Sequence, residues 1–442
     1  MASIRQSGPP ELPPPGALRA TRQWHRTDTV IAGVLLLYVV AAARTAISWD
    51  SHLYLASAKS LFWPGMERWY HWIREPLYPL QLRMSTALFG SADLGVILIQ
   101  ALIVVVAASV FVRVWFRHNP ITRKIALVLI VANPIVIGMV GFVGQQAMIL
   151  ALVCLSAAWI KLVTDWTRHL RSGLIVLSGC LGACLALAAV ALVPLAVATG
   201  AYALLCARKR SDLSSSQDTT LTLISRRRAV MAALSLMLSA VLALSTWWAY
   251  KAIALQDAES AYGYPAWVWE YTGEDDPLSI PEKLLAFLAL GRDGTIPPSA
   301  VAWELTVYGG LEEPFSNRCG FETAGDASAS YSEGYLELSC RPAWATRINN
   351  RLAPFGLAVH RAALLGLFLA TLIAVVASRL RPFAVITVAF LLPYVVGGLG
   401  ISRYAVPLYP LGVSVILMGV TAALNTVGKR QSANHQRDAE RT

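Results

Sequence analysis

Two short segments near the start of the chain combine acidic, basic and aromatic side chains. They are residues 49–54 (WDSHLY) and 74–80 (REPLYPL), and both follow the first apolar stretch. Charged residues make up only 14% of the chain. An ionisable group in or near lipid has an unfavourable free energy, so the groups that occur there usually serve a function. The two segments therefore indicate a reaction site at a membrane surface.

Asp50 is the candidate general base of such a site. A sugar joined to a phosphate already has a good leaving group, so one displacement needs a base for the acceptor hydroxyl and cations for the departing phosphate. Asp50, at a membrane edge with apolar neighbours, is suited to the first role, and capping a helix is its alternative role. Glu75 is the second candidate, as a base or as a hydrogen-bond acceptor for the substrate. An ion pair between Glu75 and Arg74 is equally compatible with the sequence.

Arg403 is the candidate ligand for the phosphate. It lies between the last two apolar stretches and follows residues 397–400 (GGLG), which allow the backbone to approach a ligand closely. A guanidinium fork matches the oxygens of a phosphate, although an arginine at an interface also reaches lipid headgroups. Arg44 and Arg361, predicted within a turn or two of the external membrane edge, are weaker candidates for the same role.

His52 and His71 belong to the same loop as Asp50 and are candidates to assist it or to bind a metal. Two histidines without a regular ligand spacing more often lie on a protein surface. No cofactor is therefore indicated, and the question whether a divalent metal binds is left open. The sequence has no Walker-type glycine loop, zincin motif or nucleophile elbow. These absences argue against ATP-driven transport and against a protease or esterase.

The elements that must position these residues are membrane helices. Hydrophobic residues make up 56% of the 442 residues and the mean hydropathy is +0.54, so a soluble globule is the poorer description. Windows of about 20 apolar residues predict ten spans, with the run from 173 to 206 split near Ala189 and Pro194. We therefore expect an all-α polytopic membrane protein. The spans cover residues 29–48, 91–112, 125–140, 142–160, 173–189, 190–206, 229–250, 356–378, 383–400 and 404–425.

Basic residues define the expected orientation. With the N-terminus in the cytosol, the cytosolic segments hold 23 of the 37 lysines and arginines, whereas residues 251–355 carry 7 basic and 15 acidic residues. Both termini are therefore expected in the cytosol and the site outside, in a bacterial inner membrane. The net charge of +11 then reflects attraction to anionic lipid headgroups and does not imply nucleic-acid binding. The expected division is a cytosolic tail (1–28), a transmembrane region (29–250) with the first external loop (49–90), an external domain (251–355), C-terminal helices (356–425) and a cytosolic tail (426–442).

The two external segments have different expected structures. The first loop, 49–90, is predicted to contain a short helix lying in the interface. Residues 251–355 are predicted to form a small mixed domain, whose aromatic and acidic side chains either hold a sugar or form an interfacial aromatic belt. Cys319 and Cys340 in this domain are expected to form a disulfide in an oxidising compartment. The remaining cysteines are expected to be small buried hydrophobic side chains, and they are Cys154, Cys180, Cys184 and Cys206.

Taken in chain order, the motifs resemble those of the GT-C superfamily of integral membrane glycosyltransferases. They are an acid at the end of the first span, a Tyr- and Ala-containing interfacial helix, residues 74–79 (REPLYP) and residues 402–410 (SRYAVPLYP). Protein mannosyltransferases and aminoarabinose transferases are members of this superfamily. Members transfer a sugar from a polyprenyl phosphate on the extracytoplasmic face, with an acid of the first external loop as the expected base. That acid matches Asp50, which is followed by Ser51 and His52 where many relatives carry a second acid.

The resemblance implies a polyprenyl-phosphate-linked sugar as donor and a glycan, lipid or protein hydroxyl as acceptor, with Asp50 as the base. Glu75, the second candidate, is predicted as a catalytic residue from its own chemistry. The main alternative is a secondary transporter, a class that favours inverted repeats, interrupted helices and charges near the middle of the bilayer. A polysaccharide polymerase or ligase also uses lipid-linked sugars, but typically has an external loop rich in arginine and histidine. The expected substrate contacts are Arg403, Tyr54, Arg74, Tyr78, His52, Tyr404 and Arg361.

Overall fold

The computed structural model describes residues 15–43, 54, 57–58, 75–89, 92–165, 172–211, 219–254, 343–397 and 402–439. Within these ranges the chain consists of α-helices and short 3-10 turns, without a β-strand. The expected all-α class is therefore confirmed for this part of the chain. Residues 255–342 of the predicted external domain, with Cys319 and Cys340, lie outside the described residues, as does most of the first external loop.

Twelve α-helices have described bounds in these ranges. Short 3-10 turns precede three of them: Val190–Leu192 before α8, Ser378–Leu380 before α11 and Ser402–Leu408 before α12. The helices are α1 (Pro15–Ala42), α2 (Leu77–Phe89), α3 (Ala92–Trp115), α4 (Pro120–Val131), α5 (Pro134–Gly141), α6 (Gln146–Thr164), α7 (Gly173–Ala188), α8 (Val193–Ser211), α9 (Thr219–Ala254), α10 (Ala343–Ile373), α11 (Arg381–Gly397) and α12 (Tyr409–Ala439).

Six helices of the described chain are long and apolar enough to cross a membrane, and the bent pair α4–α5 would make a seventh. The six are α3, α6, α8 with its preceding turn, α9, α10 and α12. The chain is therefore a multi-pass membrane protein. Helices α1, α7 and α11 coincide with further predicted spans, but α7 has only 16 residues, about 24 Å of helix against a hydrocarbon core of about 30 Å. The number of ten spans therefore stays a prediction.

The apolar run from 173 to 206 is divided as the sequence predicts. Helix α7 ends at Ala188, and Ala189 is extended, with φ −162° and ψ 135°. The 3-10 turn Val190–Leu192 follows before α8 begins at Val193. Pro194 lies in the first turn of α8, where its missing N–H removes no helical hydrogen bond. Two separate helices therefore replace one long helix.

The predicted span 125–140 is instead a broken helix. Helices α4 and α5 meet at an angle of 51° around Asn133. Pro134 disfavours a helical conformation at the preceding residue, and Asn133 is extended with φ −67° and ψ 126°. Its side-chain oxygen accepts a hydrogen bond from the Ile135 N–H at 2.9 Å and caps α5.

Small residues let the helices of the bundle approach closely. A Cβ atom built on Gly182 of α7 would lie 2.1 Å from the carbonyl oxygen of Leu236 in α9. The same test on Gly412 of α12 gives 2.2 Å to the carbonyl oxygen of Ala363 in α10. In lipid, helices associate largely through such close packing, because lipid tails are as apolar as the side chains. These two glycines therefore determine the spacing of two helix pairs.

The variant Gly182→Ala is expected to lower the free energy of unfolding by about 2–3 kcal/mol, since the added methyl group meets backbone and not a flexible side chain. Gly173 begins the same helix, and a Cβ added there would have no atom within 4 Å. Gly173→Ala is therefore the matched control and should change stability little. Unfolding in mixed micelles of mild detergent and SDS measures both. Equal stability of the two variants would contradict the close packing of α7 on α9.

Candidate functional site

The described bundle has two distinguishable ends. At one end the Trp115 indole N–H donates to the Ala157 carbonyl at 2.9 Å, and the Trp115 ring lies 4.2 Å from the Phe383 ring. The Lys161 ammonium lies 5.1 Å from the centre of the Trp115 ring. We call this the Trp115 end. The opposite end, formed by Glu75, Val190 and Lys251, is called the Glu75 end.

Glu75 joins the first external loop to the break between α7 and α8. It lies just before α2 and is only 9% exposed. One carboxylate oxygen accepts a hydrogen bond from the Val190 backbone N–H at 3.1 Å. Val190 begins the turn that precedes α8, where backbone N–H groups lack helical partners and favour a negative charge. The sequence pairs Glu75 with Arg74 as one alternative, but Arg74 lies outside the described residues.

Lys251 is a functional candidate that the sequence patterns do not indicate. It lies near the end of α9, is 3% exposed, and the charge of Glu75 acts on its ammonium group. The ammonium also lies 5.4 Å from the centre of the Trp247 ring. Burying a charge carries a desolvation cost, which the opposite charge of Glu75 offsets in part. The available signal in the sequence is a lone lysine directly after the aromatic end of an apolar span.

Tyr54 and Tyr78, two predicted substrate contacts, lie against each other. Their ring centres are 4.9 Å apart with an interplanar angle of 85°, an edge-to-face arrangement. Both side chains are buried, and Tyr78 has no exposed surface. Burial raises the pKa of Tyr78 well above its ordinary value, so its hydroxyl stays protonated. In this conformation the pair packs the loop onto the bundle, and neither ring is presented to a ligand.

The segment that carries Arg403 and Tyr404 lies toward the Glu75 end. The Phe383 ring near the start of α11 contacts the Trp115 ring, so α11 begins at the Trp115 end. Its last residue and the following turn Ser402–Leu408 therefore lie away from that end. The turn packs against α6, and the Gly144 backbone just before α6 lies beside the Tyr78 hydroxyl. Only the backbone of Arg403 and Tyr404 is described. Asp50, His52 and Arg74 lie outside the described residues.

Arg361 lies deeper than the sequence predicts. Helix α10 starts at Ala343, well before the expected start at residue 356, and its span-like part is Arg351–Ile373. Arg361 therefore lies ten residues into that part, about 15 Å along the helix. The cause is the continuation of α10 through Pro354, which the hydropathy window assigns to a loop. Arg361 therefore lies near the middle of the apolar segment Arg351–Ile373 and not near its end.

A second polar cluster surrounds the helix break. The Asn133 side-chain amide donates to the Gly356 carbonyl at 3.1 Å and to the Tyr409 hydroxyl at 2.9 Å. The Tyr409 hydroxyl donates to the Leu129 carbonyl at 2.8 Å, a carbonyl freed by the end of α4. His360 stacks on the Tyr409 ring with centres 4.8 Å apart, and its side chain has no exposed surface. Among the described residues neither ring nitrogen of His360 has a hydrogen-bond partner.

No group of three potential metal-ligating side chains occurs among the described residues. His52 and His71, the sequence candidates for a metal, are not among them. Fold and site together define a multi-pass α-helical membrane protein with a buried glutamate and a buried lysine whose charges interact at one end of its bundle, and with a polar cluster at a helix break. No family model, curated protein or solved structure matches this chain.

Proposed function

We propose that this chain is a membrane glycosyltransferase of the GT-C type, which moves a sugar from a polyprenyl-phosphate donor to an acceptor hydroxyl on the extracytoplasmic side. The observation that carries the proposal is a convergence at the Glu75 end. There the Glu75 carboxylate binds the Val190 N–H and its charge acts on the buried Lys251. Tyr54 packs on Tyr78, whose hydroxyl lies beside the Gly144 backbone just before α6, the helix that the Ser402–Leu408 turn contacts. Transfer from a phosphate donor needs an acid–base group and cations in one place.

In the proposed reaction, the acceptor hydroxyl gives its proton to the Asp50 carboxylate while its oxygen bonds to the anomeric carbon of the sugar. The bond from that carbon to the phosphate oxygen breaks, and its electron pair leaves with the phosphate. Arg403 stabilises the charge that develops on the phosphate through a bidentate contact. Glu75 acts as a positioning residue, because its carboxylate binds the Val190 N–H and so joins the residue just before α2 to the turn before α8.

The proposed orientation places the Trp115 end in the cytosol and the Glu75 end outside. Described basic side chains gather at the Trp115 end, which is the pattern of cytosolic faces of inner-membrane proteins. Ten spans with both termini in the cytosol belong to the same proposal. Cysteines introduced at residues 227 and 300 should react with impermeant reagents only from the cytosolic and the external side, respectively. The gathered residues are Arg26, Arg113, Arg117, Arg123, Lys124, Lys161, Arg208, Lys209, Arg226, Arg227, Arg228, Arg379 and Arg381.

The direct test uses the purified full chain in liposomes with radiolabelled polyprenyl-phosphate sugars and a membrane-glycan or peptide acceptor pool from a bacterial envelope. Label is expected to move from the organic-soluble donor to the acceptor fraction in proportion to the amount of protein. Heat-inactivated protein and free nucleotide sugars are the controls. Transfer from nucleotide sugars alone would refute the lipid-phosphate donor.

A secondary transporter is the second candidate, because two observations favour it. The span formed by α4 and α5 is broken by 51°, and such interrupted helices line substrate sites in transporters. The break also lies against His360, and an ionisable side chain within a span is a functional candidate by default. In the same liposomes, protein-dependent uptake of a labelled solute without any sugar transfer would favour this function.

A further inference from the structure

Helix α6 ends well below the far end of α3. The span Gly95–Trp115 of α3 has 21 residues and is about 30 Å long, close to the thickness of the hydrocarbon core. The Trp115 indole bonds to the Ala157 carbonyl, so Ala157 of α6 marks the Trp115 level. From there α6 extends toward the Glu75 end only as far as Gln146, about 17 Å along its axis. This helix end therefore lies about 13 Å below the level of Gly95.

Helix α11 stops short in the same way. The Phe383 ring near its start lies 4.2 Å from the Trp115 ring. Its last residue, Gly397, is about 21 Å further along the axis, so α11 ends about 9 Å below the level of Gly95. The turn Ser402–Leu408 packs against α6 and α11, the two helices that stop short.

Glu75 lies deeper still. The Trp159 indole of α6 donates to the Ser178 hydroxyl of α7 at 2.7 Å, which places Ser178 about 3 Å beyond the Trp115 level on the side away from Glu75. The Val190 N–H, which binds the Glu75 carboxylate, is about 18 Å further along α7 and the turn that follows it. The carboxylate therefore lies about 15 Å from the Trp115 level, half-way along the span of α3. In the described part of the chain, these helix ends and Glu75 form the floor of a recess below Gly95.

Apolar side chains are exposed at the depth of this floor. Ile253 lies two residues after Lys251, on which the charge of Glu75 acts, and it is 78% exposed. Val197 of α8, one helical turn after the helix begins, is 41% exposed. On a membrane-spanning bundle such side chains face lipid tails. Acyl chains therefore lie beside the recess at the depth of its floor.

We infer that the acceptor of the proposed reaction is a hydroxyl on the headgroup of a membrane lipid, which enters this recess. The inference rests on the proposed glycosyl transfer and names the acceptor class. A water-soluble glycan would have to carry its hydroxyls about 15 Å below the level of Gly95 and lose their hydration, which is unfavourable for polar groups. The acyl chains of a lipid already hold its headgroup at the edge of the hydrocarbon core. The lipid hydroxyl loses its proton and gains the sugar, so the products are a glycolipid and free polyprenyl phosphate.

The acceptor test uses the purified full chain in phosphatidylcholine liposomes, whose headgroups carry no hydroxyl, with a labelled polyprenyl-phosphate sugar. A bacterial envelope is divided into a solvent-extracted lipid fraction and the lipid-free remainder, and each is added separately. Label that resists mild acid, which hydrolyses the donor, reports transfer. We expect at least tenfold more transfer with the lipid fraction. Equal or greater transfer with the remainder would overturn the inference and leave glycosyl transfer standing, whereas no transfer with either fraction would remove both.

The depth of the recess has a test that does not depend on activity. A fluorescent amino acid replaces Ile253 or Leu102 in turn, and nitroxide groups at known depths in the lipids quench it. Leu102 of α3 is 50% exposed and lies about 20 Å from Trp115, a depth similar to that of Ile253. The two positions are therefore expected to give the same depth within about 5 Å.

Leu88 is the contrasting position. It is 66% exposed in the last turn of α2, and the nearby Ser85 carbonyl packs against Gly95. The same fluorescent residue at position 88 should lie more than about 10 Å nearer the membrane surface than at position 253, since Leu88 lies at the far end of α3. Equal depths at positions 88 and 253 would overturn the recess and with it the lipid acceptor, whatever the transfer assay shows.

Discussion

Replacing Asp50 by Asn is expected to lower the rate of sugar transfer by about 100-fold or more, in line with the contribution of a general base. The amide keeps the size and much of the hydrogen bonding of the carboxylate but does not accept the proton of the acceptor hydroxyl. Binding of the lipid donor should stay nearly unchanged. Single-turnover transfer from labelled donor in liposomes measures the rate, and equilibrium binding of the same donor measures the affinity.

Arg403→Ala is the contrasting variant for this experiment. It removes a charge-assisted fork to the phosphate, so it should weaken donor binding as well as transfer. If Asp50→Asn keeps ordinary activity, Asp50 caps a helix and Glu75 becomes the candidate base. Glu75→Gln then decides, although the Glu75 carboxylate is already engaged by the Val190 N–H and the charge of Lys251. Activity in both carboxylate variants would remove the proposed mechanism.

Removing the charge of Lys251 alone is expected to destabilise the protein by about 1–3 kcal/mol, because a buried group then loses part of its electrostatic compensation. In Lys251→Met the carboxylate of Glu75, only 9% exposed, loses the opposite charge that acts on it. The double variant Glu75→Gln/Lys251→Met should recover much of this loss, because no net charge then stays buried. Unfolding in mixed detergent and SDS micelles measures the free energies.

Lys161 provides a matched control for Lys251. Both ammonium groups lie over a tryptophan ring, at 5.1 Å for Lys161 and 5.4 Å for Lys251, and both interact with an acid. The Lys161–Asp165 pair is 2.7 Å long but its side chains are 28% and 33% exposed. Lys161→Met should therefore cost less than about 1 kcal/mol. If the double variant at Glu75 and Lys251 is as unstable as Lys251→Met, the two charges do not compensate each other.

Local sequence signals predict the helices well because each depends on neighbouring residues. The apolar windows coincide with described helices, and the break between α7 and α8 falls at Ala189 as expected. The break at Asn133 has a local signal too, the Asn–Pro pair, but a hydropathy window averages over it and joins α4 to α5. Similarly, the window begins the predicted span only at residue 356 because Arg351 and Pro354 lower the average, although α10 continues through both.

The candidate site is only partly predictable from the sequence, for a different reason. The motifs indicate Glu75, Tyr54 and Tyr78, and the structure places these first-loop residues at one end of the bundle. It does not follow from the motifs that Tyr54 and Tyr78 bury each other, since burial depends on what packs around them. The apolar windows end at residue 250 and therefore assign Lys251 to an external loop. The sequence does not reveal that the charge of Glu75 acts on Lys251, because Glu75 lies 176 positions earlier in the chain.

The sequence by itself therefore determined the class of this protein. Hydrophobic residues make up 56% of the chain, and apolar stretches of about 20 residues satisfy their backbone hydrogen bonds in lipid as helices. The tertiary structure alone decided which helix faces meet. Asn133 bonds to Gly356 and to Tyr409, more than 200 positions away, and α7 reaches α9 because Gly182 leaves room at a carbonyl oxygen. Such pairings depend on shape and on buried polar partners, which a sum of hydropathies along the chain does not contain.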